Sequence, residues 1–259
     1  MNRLLKTKLP ASSAAQKVEL LEGGKNYFSR LADLIRSASK TIHLQVYILE
    51  ADETGKAILD ALVDAVKRRV EVFLLVDAYG SSALPAGLIQ SIIESGIHFR
   101  KFSPVFSRRG IQLGRRLHHK VLVIDGEKAV VGGINIADKY AGTAAEEPWL
   151  DFAIYLEGTA CLELEEICHA LFTKRKAQVR KIGLAGKQKK ADDEKIKVVI
   201  RRSDRLKGLR QITTSYRRAV RSADQSVLIA ASYFLPGYTG RRIISAAVKR
   251  GVEVCLLLP

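Results

Sequence analysis

No run of eighteen or more apolar residues occurs in the 259-residue sequence, so it holds no segment of the length a helix needs to cross a bilayer. Cysteine is scarce. Cys161, Cys168 and Cys255 stand in no CxxC or metal-binding spacing, and an odd count suits buried thiols in a reducing compartment better than a disulfide framework. The amino terminus, MNRLLKTKLPASSAAQ, is basic but lacks the apolar core of a signal peptide, so none is expected. Acidic residues are also in deficit. Against 43 Lys plus Arg there are 27 Asp plus Glu, which leaves a formal charge of +16 and points to anionic partners.

Apolar residues make up 47%, enough for a proper core. Hydrophobic runs rich in β-branched residues predict strands at 18–21, 42–49, 70–76, 97–102, 120–125, 128–132, 152–157, 196–201, 226–231 and 252–258. Amphipathic stretches between them predict helices at 25–38, 54–68, 85–95, 160–173, 207–221 and 239–250. This alternation implies an α/β fold, a mixed sheet with helices on both faces.

Residues 118–135 read HHKVLVIDGEKAVVGGIN, which places His118, Lys120, Asp125, Gly132, Gly133 and Asn135 in one pattern. His118 and Lys120 lead into the aliphatic run Val121–Ile124. On a strand, residues two apart share a face, so an imidazole and an ammonium project side by side while His119 turns away to packing or surface. Asp125-Gly126 reads as a two-residue turn and Ala129-Val130-Val131 as the returning strand. Gly132-Gly133 permits close backbone approach, and Asn135 returns beside the pair with an amide to donate. A histidine nucleophile next to a fixed cation and an amide donor suits attack on a phosphodiester. Lys120 and Asn135 would hold the non-bridging oxygens, and the arrangement calls for no metal or cofactor.

These residues resemble the His-Lys-Asp signature (HKD motif) of the phospholipase D superfamily. The Gly-Gly form before Asn135 is similar to that of bacterial cardiolipin synthases. The resemblance runs from about residue 17 to the carboxyl terminus. It takes in Val18–Leu21 with Gly24, Ile42–Ile48, Gly55, Val70-Glu71-Val72, Asp77–Ser81 and Trp149-Leu150-Asp151. It implies that His118 is nucleophile or general acid, that Lys120 and Asn135 bind phosphate, and that Asp151 orients the imidazole. Asp125 joins the catalytic set as structural or electrostatic support, and Gly133 the substrate-binding set. Arg115 and Arg116 lie within reach of a phosphate held at His118. Members of this type carry two such motifs. This sequence has one, since no other histidine here has lysine two residues on.

An internal repeat bears on that difference. Ser37–Leu44 aligns with Ser222–Ile229, Gly55 with Gly240, and Ala65–Leu75 with Ala247–Leu257. Val70 precedes His118 by 48 residues. The same interval after Val252 would put a second motif at about residue 300, beyond Pro259. The expectation is one complete copy of the fold plus the start of a second. Residues 1–173 form the first domain, 174–195 a basic linker, and 196–259 an incomplete second domain. The partner motif would come from a second half in cis or from a homodimer.

The linker carries Lys174, Arg175, Lys176, Arg180, Lys181, Lys187, Lys189 and Lys190. Basic side chains close to an anionic bilayer contribute about 1 kcal/mol each, and the same charge attracts nucleic acid. The resemblance implies a peripheral protein on the cytoplasmic side of the cell membrane, acting on anionic phospholipid. Its reaction would be phosphatidyl transfer between two phosphatidylglycerol molecules through a phosphohistidine, with release of glycerol. Two alternatives stand beside it. One is a phospholipase or nuclease with water as acceptor, and the other is a non-catalytic module binding anionic lipid or nucleic acid.

Overall fold

The computed structural model describes residues 13–103, 106–107, 110–111, 116–175, 196–204 and 209–258. It divides into two compact units, residues 1–199 and 200–259.

The first unit runs β1 (Ser13–Ala15), β2 (Lys17–Glu22), α1 (Lys25–Ser37), β3 (Thr41–Val46), α2 (Glu53–Lys67), β4 (Glu71–Asp77), α3 (Ala86–Glu94) and β5 (His98–Phe102). There follow β6 (Phe106–Ser107), β7 (Gly110–Ile111), β8 (Val121–Ile124), β9 (Lys128–Gly132), α4 (Asp138–Ala141), β10 (Phe152–Glu157), α5 (Ala160–Phe172) and β11 (Ile196–Val198). Seven strands form one mixed sheet in the order β2-β10-β9-β8-β3-β4-β5. Strands β3, β4 and β5 run parallel through helical crossovers, whereas β8, β9, β10 and β2 join by antiparallel pairing. The central strands β3, β4 and β8 are buried along nearly their whole length because both of their faces are covered.

One face packs on α1, α2 and α3. The core there joins Tyr27, Phe28, Leu31 and Ile35 to Ile42, Leu44, Ile58, Leu62, Leu74 and Leu122. The other face takes α5, whose Leu171 and Phe172 rest on Leu75, Phe102 and Leu117. This is a mixed β-sheet flanked by helices on both faces, as the alternation of elements implies. No helix among the described residues is long and apolar enough to cross a membrane.

Differences from the sequence expectation have local causes. The strand foreseen to Leu49 leaves the ladder after Val46, because side chains satisfy its backbone. Asn135 Oδ1 accepts from Ile48 N–H at 3.0 Å, and Ser81 Oγ accepts from Leu49 N–H at 3.0 Å. The strand foreseen at 196–201 is only β11, and it pairs with β1, so it belongs to the first unit and not to a second domain beginning at 196. Of the 174–195 linker, all but Lys174 and Arg175 lies outside the described residues.

The second unit contains β12 (Ser203–Asp204), β13 (Leu209–Arg210), α6 (Gln211–Ser222), β14 (Ser226–Ala230), α7 (Gly237–Lys249) and β15 (Glu253–Leu257). Helix α6 starts four residues later than the sequence pattern implies, because β13 pairs with β12 first. The order α6-β14-α7-β15 matches α1-β3-α2-β4 in its details. Thr41 is opposite Glu71 in the first parallel pair, and Ser226 is opposite Glu253 in the second. Arg68 donates to Ile35 O at the end of α1, and the aligned Arg250 donates to Arg221 O at the end of α6. The next position is left-handed in both, Arg69 at φ 68° and Gly251 at φ 88°.

The β8–β9 hairpin is pinned at its turn. Asp125 and Gly126 both have positive φ, 54° and 66°, as a tight hairpin with this twist requires. The Asp125 carboxylate then accepts from Ser39 N–H, Ser39 Oγ–H, Lys40 N–H and Thr41 N–H at 2.7–2.9 Å. Burial alone would raise its pKa, but these bonds prevail and hold it below the usual carboxylate range. Asp125→Ala should therefore cost about 1–3 kcal/mol of stability in urea denaturation at neutral pH. Asp125 is the ionised partner, so its contribution is complete above the unfolded-state value and lost as pH falls through the lowered folded one. The gap between wild type and Asp125→Asn should accordingly close in acid.

Candidate active site

The residues that precede β8 are not themselves in the ladder, which begins at Val121. They are nevertheless extended enough to alternate. His119 turns to the α5 face, where its Nδ1 lies 3.0 Å from Gln45 Oε1, and Gln45 in turn donates to Cys168 O at 2.8 Å. His118 and Lys120 meet on the opposite side. The Lys120 Nζ is 3.5 Å from His118 Nδ1 and 3.4 Å from the His118 carbonyl oxygen. The Tyr47 ring backs both, with its centroid 5.2 Å from the imidazole and 5.2 Å from Nζ.

The two side chains differ in exposure. His118 is exposed, whereas Lys120 is only 8% exposed. Both contacts of the ammonium exceed the 2.7–2.9 Å of a charge-assisted bond. Burial therefore brings the Lys120 pKa down to about 8, and the negative charges of Asp151 and Asp77 only partly oppose the fall. The His118 pKa is also lowered, first by burial and then by Lys120, with Asp77 opposing. A neutral imidazole next to a buried ammonium that lacks short partners among the described residues is a setting into which a phosphate oxygen fits.

The glycine pair has a steric reason. A Cβ on Gly132 would come within 2.5 Å of Ala153 Cβ and of Phe152 O on β10, and one on Gly133 within 2.2 Å of Asp151 Oδ1. The Asp151 carboxylate thus lies against the bare α-carbon of Gly133 and accepts from Phe152 N–H at 2.8 Å. Among the described residues no hydrogen bond joins Asp151 to His118. Asp151 acts on the pair through its charge on Lys120. Asn135 is 4% exposed and fully built in, accepting from Ile48 N–H and donating to Tyr140 Oη at 2.7 Å. An amide has two N–H groups, and among the described residues only one is engaged, which leaves the other for a ligand. Tyr140 meets Trp149 edge-on at 5.5 Å, which secures the segment leading to Asp151.

For Asp125 the clamp fits the structural part of its expected role and corrects its place in the catalytic set. The residue sits past the far end of β8, about 17 Å along the strand from Lys120, and clamps the Ser39–Thr41 loop instead of joining the catalytic group. Arg116 lies at the site's approach, its guanidinium 5.1 Å over the ring of the exposed Tyr79. Arg115 lies outside the described residues. Three residues at the site went unassigned by sequence reasoning: Tyr47, Tyr140 and Asp77. Asp77 is wholly buried, and its Oδ2 accepts from Leu117 N–H at 2.7 Å. The available signal was a carboxylate closing an otherwise aliphatic parallel strand, the end of such strands where ligands bind in α/β sheets.

The electrostatics predict the behaviour of Lys120 directly. Its ε-methylene signals, followed by NMR across pH, should show a midpoint near 8, well below those of surface lysines. Asp151→Asn removes a charge that favours the ammonium and should shift that midpoint lower still.

Residues 31–149 match a family model described as cardiolipin synthase, PLD-like domain. Cardiolipin synthase B of Shigella flexneri is 29% identical over 250 residues, 93% of this chain and 59% of that protein. Cardiolipin synthase 1 of Bacillus cereus is 29% identical over 252 residues, 93% of this chain and 49% of that protein. The chain thus spans about half to three-fifths of the length of these curated relatives. Among solved structures, phosphatidylserine synthase of Haemophilus influenzae superposes with a TM-score of 0.65 at 17% identity, covering 97% of this chain and 63% of that one. Over residues 31–149 the chain is thus similar to the phospholipase D-like domain of cardiolipin synthases, and it matches such synthases at 29% identity over most of its length.

Proposed function

We propose that the chain supplies one half of a phosphatidyl-transfer site that converts two phosphatidylglycerol molecules into cardiolipin and glycerol. The observation that carries this reading is the under-partnered Lys120 ammonium, 3.5 Å from an exposed imidazole. In the first step the unprotonated nitrogen of His118 attacks phosphorus. The bond from phosphorus to the glycerol oxygen breaks, and glycerol leaves with a proton from a general acid. In the second step a hydroxyl of the other phosphatidylglycerol attacks the same phosphorus. Its proton passes to the conjugate base, the phosphorus–nitrogen bond breaks, and His118 is restored. Lys120 and the second N–H of Asn135 hold the non-bridging oxygens as charge builds there.

The leaving alkoxide needs that acid, because it is too basic to depart unaided at neutral pH. His119 is turned to the other face and bonded to Gln45, so a second histidine in motif context must supply it. On this reading α6-β14-α7-β15 begins a second copy of the fold, whose own motif provides the acid. A second copy of the chain is the other source. The reaction places the protein peripherally on an anionic membrane surface, to which its +16 charge is suited.

Incubating labelled phosphatidylglycerol with the chain complemented by a second motif-bearing half should yield cardiolipin and glycerol, and phosphatidic acid as sole product would indicate water as acceptor. His118→Ala should lower turnover by roughly 10³-fold or more with the fold intact, and Lys120→Ala by roughly 10²–10³-fold. Monomeric chain alone should leave the lipid unchanged.

A further inference from the structure

We propose that Asp77 is a positioning residue for His118: its buried carboxylate fixes the backbone immediately before the histidine and the aromatic wall behind it. The inference rests on His118 being the nucleophile, and it adds the group that aims it.

Asp77 ends β4 with no exposed surface, and none of the ion pairs among the described residues involves it. Backbone N–H groups take up the carboxylate instead. Its Oδ1 accepts from Tyr79 at 2.9 Å and Gly80 at 3.1 Å, and its Oδ2 accepts from Leu117 at 2.7 Å. The first two bonds make an ordinary Asx turn, for which an asparagine would serve equally well. The third does not. An asparagine that kept its oxygen on the turn would direct its NH₂ at the Leu117 N–H, donor against donor. Only a group with acceptors on both arms closes the turn and holds Leu117 at once, and the residue after Leu117 is His118.

A second route reaches the same imidazole. The turn that Asp77 closes presents Ser81, which is 1% exposed and donates through Oγ to Tyr47 O at 3.1 Å. Gly80 packs so tightly that a Cβ there would come within 2.3 Å of that same carbonyl oxygen. Tyr47 is the residue whose ring lies 5.2 Å from His118. One carboxylate therefore sets both the chain that bears the imidazole and the ring it leans on. Its charge also favours the protonated forms of His118 and Lys120, while the Arg116 guanidinium lies close by over the Tyr79 ring.

The test is NMR on the full chain, with the His118 signal assigned by its loss in His118→Ala. In Asp77→Asn the His118 midpoint should fall by about half a pH unit, and Leu117 amide exchange should quicken by about tenfold. A merely structural turn residue would alter the unfolding midpoint and leave both readings where they were. That outcome in a folded variant would overturn the proposal. If Asp77→Asn does not fold, Asp77→Ser keeps a hydroxyl for the turn but stops short of Leu117, and the same two shifts are expected. The wild type provides the remaining check. Leu117 lies outside any strand, so slow exchange of its amide supports the clamp and exchange at exposed-loop rates refutes it. Neither reading depends on turnover, so a failure of this coupling is distinct from a failure of the phosphatidyl-transfer reading, which the lipid products decide.

Discussion

Holding an ammonium at the edge of a packed core, with no short partner among the described residues, is the constraint around which this domain is arranged. Lys120 is 8% exposed, and its contacts with His118 are long. Desolvating such a charge is unfavourable unless something offsets it. Here two carboxylates approach without forming an ion pair, Asp151 from the β10 side and Asp77 from the end of β4. Neither satisfies Lys120, and each is occupied by backbone N–H groups. The ammonium is therefore stabilised by field and left short of hydrogen-bond acceptors, a state that an incoming anion relieves.

The sheet makes this arrangement possible by bringing four chain segments to one end. The segment entering β8 delivers Lys120, and the antiparallel neighbour β3 delivers Tyr47 as it leaves the ladder. Strand β4 ends in Asp77, and the turn from β9 toward Asn135 passes so close to β10 that side chains are excluded at Gly132 and Gly133. The small residues are thus as much a part of the site as the charged ones. Adding a methyl at Gly133 would collide with the Asp151 carboxylate. At the opposite end of β8, Asp125 fixes the hairpin by clamping the Ser39–Thr41 loop, so the position of Lys120 along the strand is set from both ends.

Much of this was legible in the residues themselves. Aliphatic runs bounded by turn residues located β9 and β10 to the residue, and the two-residue spacing put His118 and Lys120 on a common side. Legible also were the aligned Arg68 and Arg250, which end α2 and α7 and donate to the last carbonyls of α1 and α6. What escaped was tertiary. Asp125 shares the motif's pattern, yet five residues of extended chain carry it away from the chemistry, a distance that spacing in a pattern does not convey. Asp77 reads as the first residue of a loop, and only the fold shows that this loop returns to Leu117. The departure of β3 after Val46 depends on Ser81 and Asn135, neither of them near in sequence.

The central claim is that His118 accepts a phosphoryl group. A phosphodiester with a nitrophenolate leaving group removes the need for a second histidine, because that leaving group departs without protonation at neutral pH. Mixed with the chain, it should release about one equivalent of nitrophenolate in a burst and leave the phosphoryl adduct on His118, found by peptide mass. An absent adduct, or one formed equally in His118→Ala, would contradict the account.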